Sequence, residues 1–274
     1  MKTFKRFFRN PGTTVGFVLV VLLFLIAVLG PFLAGDPNAQ NLSVRLEAPS
    51  FEHWFGTDSL GRDVYSRVIH GTRISLRLGF FVVVLAITVG SAVGLFAALL
   101  GGIWDDILMR ITDIFLAFPA LILAMAIAAA LGRSLTNVMI AVAAVSWPIY
   151  ARLMRAQVLG LRNLEFVEAA RALGAGMPRV AWRHLLPNSL SPALIQASFD
   201  IGGAILTAAG LSFIGFGAQP PTPEWGAMVS DTRNFIKEAP WASTFPALAI
   251  LVTVMAFNLL GDGLRDVLDP RDYS

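Results

Sequence analysis

Residues 78–100, LGFFVVVLAITVGSAVGLFAALL, form an unbroken stretch without a charged side chain. A helix of this length rises about 34 Å, and a bilayer core about 30 Å thick needs about 20 apolar residues of helix. The stretch is too long for a strand, and its apolar residues do not alternate with polar ones. It therefore predicts a helix that spans a membrane.

Five other stretches are similar in length and composition: residues 15–33, 114–131, 135–151, 193–217 and 244–260. Apolar residues make up 56% of the 274 positions and charged residues 14%, whereas soluble domains contain about 45 to 50% and about 25%. We therefore predict an all-α polytopic membrane protein with six transmembrane helices. The first stretch exceeds the roughly 7 to 15 apolar residues of a signal peptide, so we expect it to be retained as an anchor.

The distribution of positive charge predicts the orientation of these helices. With the N-terminus in the cytoplasm, the cytoplasmic segments hold 13 of the 21 lysines and arginines, in the sense of the positive-inside rule. We therefore expect both termini in the cytoplasm. The predicted organisation is a cytoplasmic segment 1–14, a first helix 15–33, an external loop 34–77, a transmembrane core 78–260 that includes a cytoplasmic loop 152–192, and a cytoplasmic tail 261–274.

Several kinds of chemistry are not expected from this sequence. Cysteine is absent and the three histidines lie far apart without ligand spacing, so we expect neither a disulfide nor a metal site. The lysines Lys2, Lys5 and Lys237 do not belong to a phosphate-binding GxxxxGK[ST] loop. We therefore expect no cofactor and no enzymatic activity, so a partner must supply any energy. Basic residues lie at the ends of apolar stretches rather than along one polar face, which argues against a nucleic-acid partner.

Small residues predict where helix backbones approach each other. Gly90 and Gly94 form a small-xxx-small pair in the second span, a pattern typical of close helix packing in membranes. The fifth span is thinned on one side by Gly202, Gly203 and Gly210. We therefore expect these two spans to pack inside a helical bundle.

Proline and tryptophan mark special positions within and beside the spans. Pro119 and Pro148 remove helical hydrogen bonds and predict kinks in the third and fourth spans. Residues 219–224 are rich in proline and predict a rigid turn on the outer face. Trp225 and Trp241 follow this turn, where we expect them at the membrane interface with other belt aromatics.

Asp200 is the acidic residue that lies well inside a predicted span. A charged aspartate at the bilayer centre costs about 2.5 to 3.5 kcal/mol on insertion scales, so we expect Asp200 to face the bundle interior or a wet cavity. Two interpretations remain open. Asp200 lines a pathway through the bundle, or it makes a hydrogen bond that packs two helices.

The predicted cytoplasmic loop begins with a short helix. Glu165 and Glu168 lie at its N-terminal end, where the helix dipole favours acidic side chains, and Gly174 is placed to close it after Leu173. A small apolar face follows from the spacing of Phe166, Ala169, Ala170 and Leu173. Pro178 can start a second short helix through residue 186, and the pair at 187–188, Pro-Asn, is predicted to break the chain before the fifth span.

The outer loop contains a second group of turn-forming residues. Thr57 and Asp58 are a natural N-cap for a helical run through Val68, and Gly61 permits a close turn. We therefore expect this motif to fold the loop, with contact to a delivered molecule as the alternative. Its residues are Gly56, Thr57, Asp58, Gly61, Arg62 and Asp63.

The cytoplasmic loop resembles a known family motif. Glu168-Ala169-Ala170 with Arg171, followed by Gly174 and then by Leu186-Pro187, resembles the EAA loop of permease subunits in ATP-binding-cassette importers. Further stretches resemble one branch of these proteins, the DppC/OppC-like permeases for dipeptides, oligopeptides, nickel and glutathione. These stretches are FGTDSLGRD at 55–63, LSFIGFGAQPPTPEWG at 211–226 and NLLGDGLRD at 258–266.

The resemblance implies a type I importer transmembrane domain, with cytoplasmic coupling helices, in the bacterial inner membrane. It also implies a heterodimer with a homologous permease subunit, two ATP-binding subunits and an extracytoplasmic solute-binding protein. The residues implied to couple to the ATPase are Glu165, Glu168, Ala169, Ala170, Arg171, Leu173, Gly174, Leu186 and Pro187.

Peptides are the substrate that this branch favours, and nickel, glutathione and opines stay open. An alternative from another class is an ion-coupled secondary transporter that relays protons through Asp200. A third is a membrane scaffold that transports nothing.

Overall fold

The computed structural model describes residues 10–268, and regular structure within that range is helical apart from one bridge between Thr57 and Asp63. Its α-helices are α1 Pro11–Leu33, α2 Val64–Leu100, α3 Gly102–Ala117, α4 Ala120–Leu131, α5 Leu135–Leu161, α6 Glu165–Ala172, α7 Met177–Val180, α8 Leu186–Ile214, α9 Trp225–Thr232 and α10 Trp241–Leu268. A π turn, Ala181–Leu185, joins α7 to α8. Short 3-10 turns occur at Leu42–Val44 and Arg233–Phe235.

The described helices agree with a six-span membrane protein. Five segments are long and apolar enough to cross a bilayer: α1, α2, α5, the continuous segment Met177–Ile214 and α10. The pair α3 and α4 provides a sixth span if its two bent halves count as one. The prediction of an all-α protein with six spans is confirmed on that count.

Several helices extend beyond the apolar stretches that predicted them. Helix α2 begins at Val64 rather than at residue 78, so the predicted external loop 34–77 is helical in its last part. Helix α5 continues to Leu161, beyond its predicted end at residue 151. Charged residues such as Arg73 and Arg77 end an apolar run but are good helix formers, so the helix continues beyond the hydrocarbon core.

The third predicted span is not one helix. Helices α3 and α4 meet at Phe118 and Pro119 and are bent by 95°. Phe118 is extended, with φ −91° and ψ 143°, because a residue before proline is excluded from the helical region by contact with the proline ring. Pro119 thus produces a complete break, while Pro148 lies buried within the continuous helix α5.

The predicted chain break at Pro187 and Asn188 is wrong. The chain continues as a helix from Met177 to Ile214, with Pro187 in the first turn of α8. The π turn makes this possible, since the amide of Leu186 bonds to the carbonyl of Ala181, five residues back. A proline in the first turn of a helix needs no amide hydrogen, so Pro187 is accommodated without a break.

Helices α2 and α5 pack backbone to backbone at the predicted glycine pair. A Cβ atom on Gly90 would lie 2.3 Å from the carbonyl oxygen of Trp147, and one on Gly94 would lie 2.2 Å from that of Ala151. The backbones therefore touch along two turns. Of the predicted glycines in α8, Gly202 packs against Val254 of α10.

The remaining helices assemble around this pair. Helix α1 packs against α10, where a Cβ on Gly16 would lie 2.6 Å from Leu259. Its N-terminal end, the C-terminal ends of α2, α5 and α10, and helix α6 share one end of the bundle, which we call the α6 end. Residues 34–63, residues 215–240 and helix α9 lie at the opposite end, which we call the loop end.

We predict that Gly94→Ala destabilises the protein, whereas Gly210→Ala does not. The added methyl group at Gly94 would collide with a backbone oxygen, and overpacking of this kind costs about 1 to 3 kcal/mol. Nothing lies within 4 Å of a Cβ on Gly210. At that position the added methyl group makes no collision, and the higher helix propensity of alanine favours the folded state. The measurement is the thermal unfolding midpoint of each variant in detergent, and equal midpoints would contradict the packing assigned to Gly94.

Candidate functional site

Helix α6 has the cap that its sequence predicts. Glu165 and Glu168 lie in its first turn and Arg171 in its last, each at the end that the helix dipole favours. Gly174 follows with φ +85°, a left-handed conformation that suits glycine. Its amide donates to the carbonyl of Arg171 at 2.9 Å, and the next amide donates to that of Ala170 at 3.0 Å. This pair of bonds is a Schellman cap, which fixes the end of α6.

A single buried residue fastens α6 to the bundle. Val167 is fully buried in a cluster with residues of α2, α5, α7 and the π turn, namely Leu95, Ala98, Met154, Val158, Val180 and Leu185. The predicted apolar face points outward instead, since Phe166 is 42% and Leu173 is 89% exposed. The apolar spacing did not predict the burial of Val167, because this residue lies outside the face that the spacing defines.

Of the predicted coupling residues, Glu168, Ala169 and Arg171 are exposed on α6. The ring of Phe166 lies 6.4 Å from that of His184 in the π turn, which ties the short helix to the start of α8. Leu186 packs against the Val167 cluster, and Pro187 is exposed beside it. Val167 of the predicted EAA segment and Leu186 of the later Leu-Pro pair thus pack in one cluster.

Ion pairs join α3 to α5 at the α6 end. Arg155 donates to both carboxylate oxygens of Asp105 at 2.6 Å, a two-pronged geometry that is among the stronger ion-pair arrangements. Arg152 pairs with Asp113 at 2.6 Å in a more exposed position. These pairs were not predicted, because an isolated charge in a sequence does not identify its partner on another helix.

The external-loop motif forms a cluster of buried charges, which we call the Asp58 cluster. The Asp58 carboxylate accepts from Arg62 Nε at 2.6 Å and lies 3.7 Å from Arg67 Nε, and all three side chains are at most 5% exposed. Arg62 also lies 3.9 Å from Asp231 of α9. Arg67 donates to the carbonyl of Pro37 at 3.0 Å. The cluster therefore joins the outer loop, α2 and α9.

The rest of the motif shapes the same loop. Thr57 is buried, and its hydroxyl accepts from the amide of Glu47 at 2.8 Å. Gly56 and Gly61 have positive φ angles of 70° and 68°, and a Cβ on Gly61 would lie 1.8 Å from the carbonyl oxygen of Asn41. Both positions therefore need glycine.

Asp63, rather than Thr57 or Asp58, is the N-cap of α2, with the amide of Ser66 donating to its carboxylate at 2.7 Å. The predicted N-cap was therefore wrong, because Asp58 is occupied by the buried arginines. The same Asp63 carboxylate lies 3.0 Å from His53 Nδ1.

Helix α9 begins at a buried acid. Glu224 is 1% exposed, and its carboxylate accepts from the amides of Gly226 at 2.8 Å and Ala227 at 2.9 Å. Burial raises the pKa of the Glu224 carboxyl, and the two amide hydrogen bonds act in the opposite direction. Trp225 is also buried and donates to the carbonyl of Val68, so its predicted place among belt aromatics is wrong. It fills the space between α9 and α2 instead.

Asp200 lies on α8 and faces α5, and two neutral donors hold its carboxyl group. The hydroxyl of Tyr150 donates to Asp200 Oδ2 at 2.6 Å, and Gln196 Nε2 donates to Oδ1 at 2.9 Å. Asp200 also lines a cavity of about 190 Å³. Both predicted features, a helix-packing hydrogen bond and a position beside a cavity, occur together.

The sequence matches two protein families. Residues 90–271 match the binding-protein-dependent transport system inner membrane component. Residues 2–49 match the N-terminal transmembrane domain of oligopeptide transport permease C. The stretch between the two matches, residues 50–89, contains Asp58, Arg62 and Arg67.

Curated relatives match over almost the full chain. The dipeptide transport system permease protein DppC of Alkalihalophilus pseudofirmus is 48% identical over 98% of this chain and 89% of its own length. The probable D,D-dipeptide transport system permease protein DdpC of Escherichia coli is 50% identical over 96% and 88%. The glutathione transport system permease protein GsiD of Pectobacterium atrosepticum is 46% identical over 97% and 89%.

The fold is similar to that of a solved transporter. A chain of the MetNI methionine ABC transporter in an inward-facing conformation superposes with a TM-score of 0.59 at 20% identity. The match covers 73% of this chain and 96% of that one. The two chains therefore share a fold over that range.

We predict that Asp58→Asn destabilises the protein far more than Asp113→Asn. Both carboxylates pair with an arginine at 2.6 Å, but the Asp58 pair is about 5% exposed and the Asp113 pair more than half exposed. Removing one partner of a buried pair costs about 3 to 5 kcal/mol, whereas an exposed pair contributes about 0 to 1 kcal/mol. Thermal unfolding in detergent measures both, and similar losses would contradict the structural role of the Asp58 cluster.

We predict that Glu224 makes stability fall as the pH rises. Burial raises the pKa of the Glu224 carboxyl in the folded protein above its value in the unfolded chain. Protonation of Glu224 therefore stabilises the folded state at low pH, and this stabilisation is lost as the pH rises through the folded-state pKa. The unfolding midpoints of wild type and Glu224→Gln, measured from about pH 5 to pH 8, isolate this group. The wild type is expected to lose stability relative to the variant, and a constant difference would contradict the prediction.

Proposed function

Because this chain belongs to the family of inner-membrane components of binding-protein-dependent transport systems, we propose that it forms half of the pathway of an ATP-driven peptide importer. The proposed complex contains a homologous permease subunit, two ATP-binding subunits and an extracytoplasmic solute-binding protein. The observation that carries the proposal is helix α6, which is capped, fastened by one buried residue and exposed on the face that a partner would contact. Family membership favours this function over an ion-coupled transporter or a scaffold.

The substrate class is inferred from the relatives. Their names describe permeases for dipeptides, D,D-dipeptides and glutathione, and all three substrates are short peptides. Sequence identity of 46 to 50% over nearly the whole chain supports transfer of that class. We therefore propose a short peptide as the transported solute, rather than nickel or an opine.

The proposed orientation puts the α6 end in the cytoplasm, with both termini on that side. The lysine and arginine distribution supports it. Arg171, Arg179 and Arg183 are also exposed at the α6 end. In this orientation α6 is available to ATP-binding subunits, and the loop end is available to a solute-binding protein.

Helix α6 is proposed to enter a groove on the ATP-binding subunit. Small side chains at Ala169 and Ala170 allow a close approach, and the exposed Phe166 and Leu173 offer apolar surface to bury. Glu168 can meet a basic side chain at the rim. Movement of α6 would be transmitted to the bundle because Val167 joins it to α2 and α5.

ATP binding is proposed to change which side of the pathway is open. Closure of the two ATP-binding subunits would draw their bound α6 helices together and bias the bundles from inward-open to outward-open. Such a shift requires that the ATP-binding subunits bind one state more tightly than the other. At the loop end, the Asp58 cluster would keep the outer surface rigid while the helices move.

The decisive experiment measures ATP-driven peptide uptake by the reconstituted complex. We predict that Glu168→Lys lowers uptake at least tenfold while the complex still assembles, because the reversed charge would repel the basic rim of the groove. Asp106→Lys is the matched control, since Asp106 is exposed on α3 at the same end of the bundle. Normal uptake by an assembled Glu168→Lys complex would refute the coupling role.

A further inference from the structure

Asp200 is an acidic residue inside the bundle that has no cationic partner among the described residues. Between residues 10 and 268, its hydrogen-bond donors are the neutral side chains of Tyr150 and Gln196, and no described lysine, arginine or histidine forms an ion pair with it. A carboxylate has about four acceptor positions. Two remain free after these bonds.

The cost of this arrangement exceeds what helix packing requires. An asparagine could bond to Tyr150 and Gln196 without the few kcal/mol that an ionised acid costs in a membrane. A retained carboxylate is therefore better explained by a ligand that needs its charge.

A cavity lies against this charge. It has a volume of about 190 Å³, several times the roughly 30 Å³ that one water molecule occupies in the liquid. Its walls come from α2, α5 and α8 and include Val82, Ala86, Val142 and Val145. Besides Asp200 and Tyr150, its polar lining includes Ser146 and Thr207. One charged group in apolar surroundings with a few hydroxyls is typical of a site that orients a ligand.

The broken helix reaches the same cavity. Ala120, the first residue of α4, lines it directly after the non-helical residues Phe118 and Pro119. Non-helical backbone at membrane depth is tolerated only where protein buries it or where it lines a water-filled cavity. Phe118 is 54% exposed in the single chain, so the break lies at the surface of the bundle, beside the cavity.

We propose that the Asp200 carboxylate, positioned by Tyr150, binds the primary ammonium group of the transported peptide. The proposal rests on the proposed peptide import. An ammonium has three donors, which the free acceptor positions of Asp200 and the hydroxyl oxygens of Ser146 or Thr207 can receive. A divalent cation fits less well, because Ca²⁺ and Mg²⁺ prefer several oxygen ligands and the described residues contain no cluster of three acidic or histidine side chains.

Tyr150 is the positioning residue of this subsite. It is fully buried, so its hydroxyl is fixed by packing on α5, and its bond to Oδ2 holds the carboxylate plane. Gln196 lies one turn before Asp200 on α8 and holds the other oxygen. Together they prevent Asp200 from turning away from the cavity.

The test measures peptide binding by the purified permease and ATPase complex without the solute-binding protein. Radiolabelled dialanine is displaced either by unlabelled dialanine or by N-acetyl-dialanine, which has no ammonium group. The wild type is expected to bind the free amine at least tenfold more tightly than the acetylated peptide. Asp200→Asn is expected to lose this preference, and Asp200→Glu is expected to keep most of it.

Tyr150→Phe provides a second variant that preserves the charge and the packing. Its preference for the free amine is expected to fall at least threefold, with an unchanged unfolding midpoint. If Asp200→Asn does not assemble, this variant decides, and an unchanged preference in it overturns the proposal. Equal affinities in the wild type, no saturable binding, or a preference that survives in Asp200→Asn also overturn it. ATP-driven uptake by the wild-type complex with its solute-binding protein tests the importer function separately.

Discussion

The hydrocarbon core of a bilayer offers no hydrogen-bond partner to backbone amides and carbonyls, and this constraint governs the whole structure. The long helices satisfy it within themselves. The two departures from α-helix are short: the π turn uses a bond from Leu186 to Ala181, and the break at Phe118 and Pro119 adjoins a cavity lined mainly by α2, α5 and α8. The chain resumes as an α-helix directly after each departure.

The low dielectric of the bilayer and of the protein interior also governs how the charged side chains are arranged. At the loop end, Asp58, Arg62 and Arg67 are buried together, so each charge has an opposite partner and the outer loop is held against α2. At the α6 end, Asp105 and Arg155 pair at the boundary of the bundle. Asp200 differs from these acids, since its described donors are neutral. Glu224 also accepts from neutral donors, but these are backbone amides at the N-terminus of α9, where the helix dipole favours an acid.

Apolar run length was sufficient to predict the number and type of the spans, because burial of about 20 apolar residues dominates insertion. Apolar run length did not predict where the helices end, because α2 and α5 continue into the aqueous phase, where charged side chains do not end a helix. The cap at Gly174 was predictable because it depends on local backbone chemistry. The burial of Val167 and Trp225 was not, because each depends on which helix lies opposite. The π turn was not predicted either, because the fit of Pro187 depends on a preceding hydrogen bond that spans five residues instead of four.

One face of α5 connects the two parts of the candidate site. Tyr150, Met154 and Val158 follow each other at intervals of four residues, so they form one stripe, and all three are fully buried. Met154 and Val158 pack around Val167 of α6, while Tyr150 bonds to Asp200. An eight-residue helix is not stable alone in water, so α6 keeps its position only through this stripe and its neighbours. Any force that moves α6 must therefore act on the element that positions the Asp200 carboxylate, which gives the coupling surface and the proposed ammonium subsite a common rigid support.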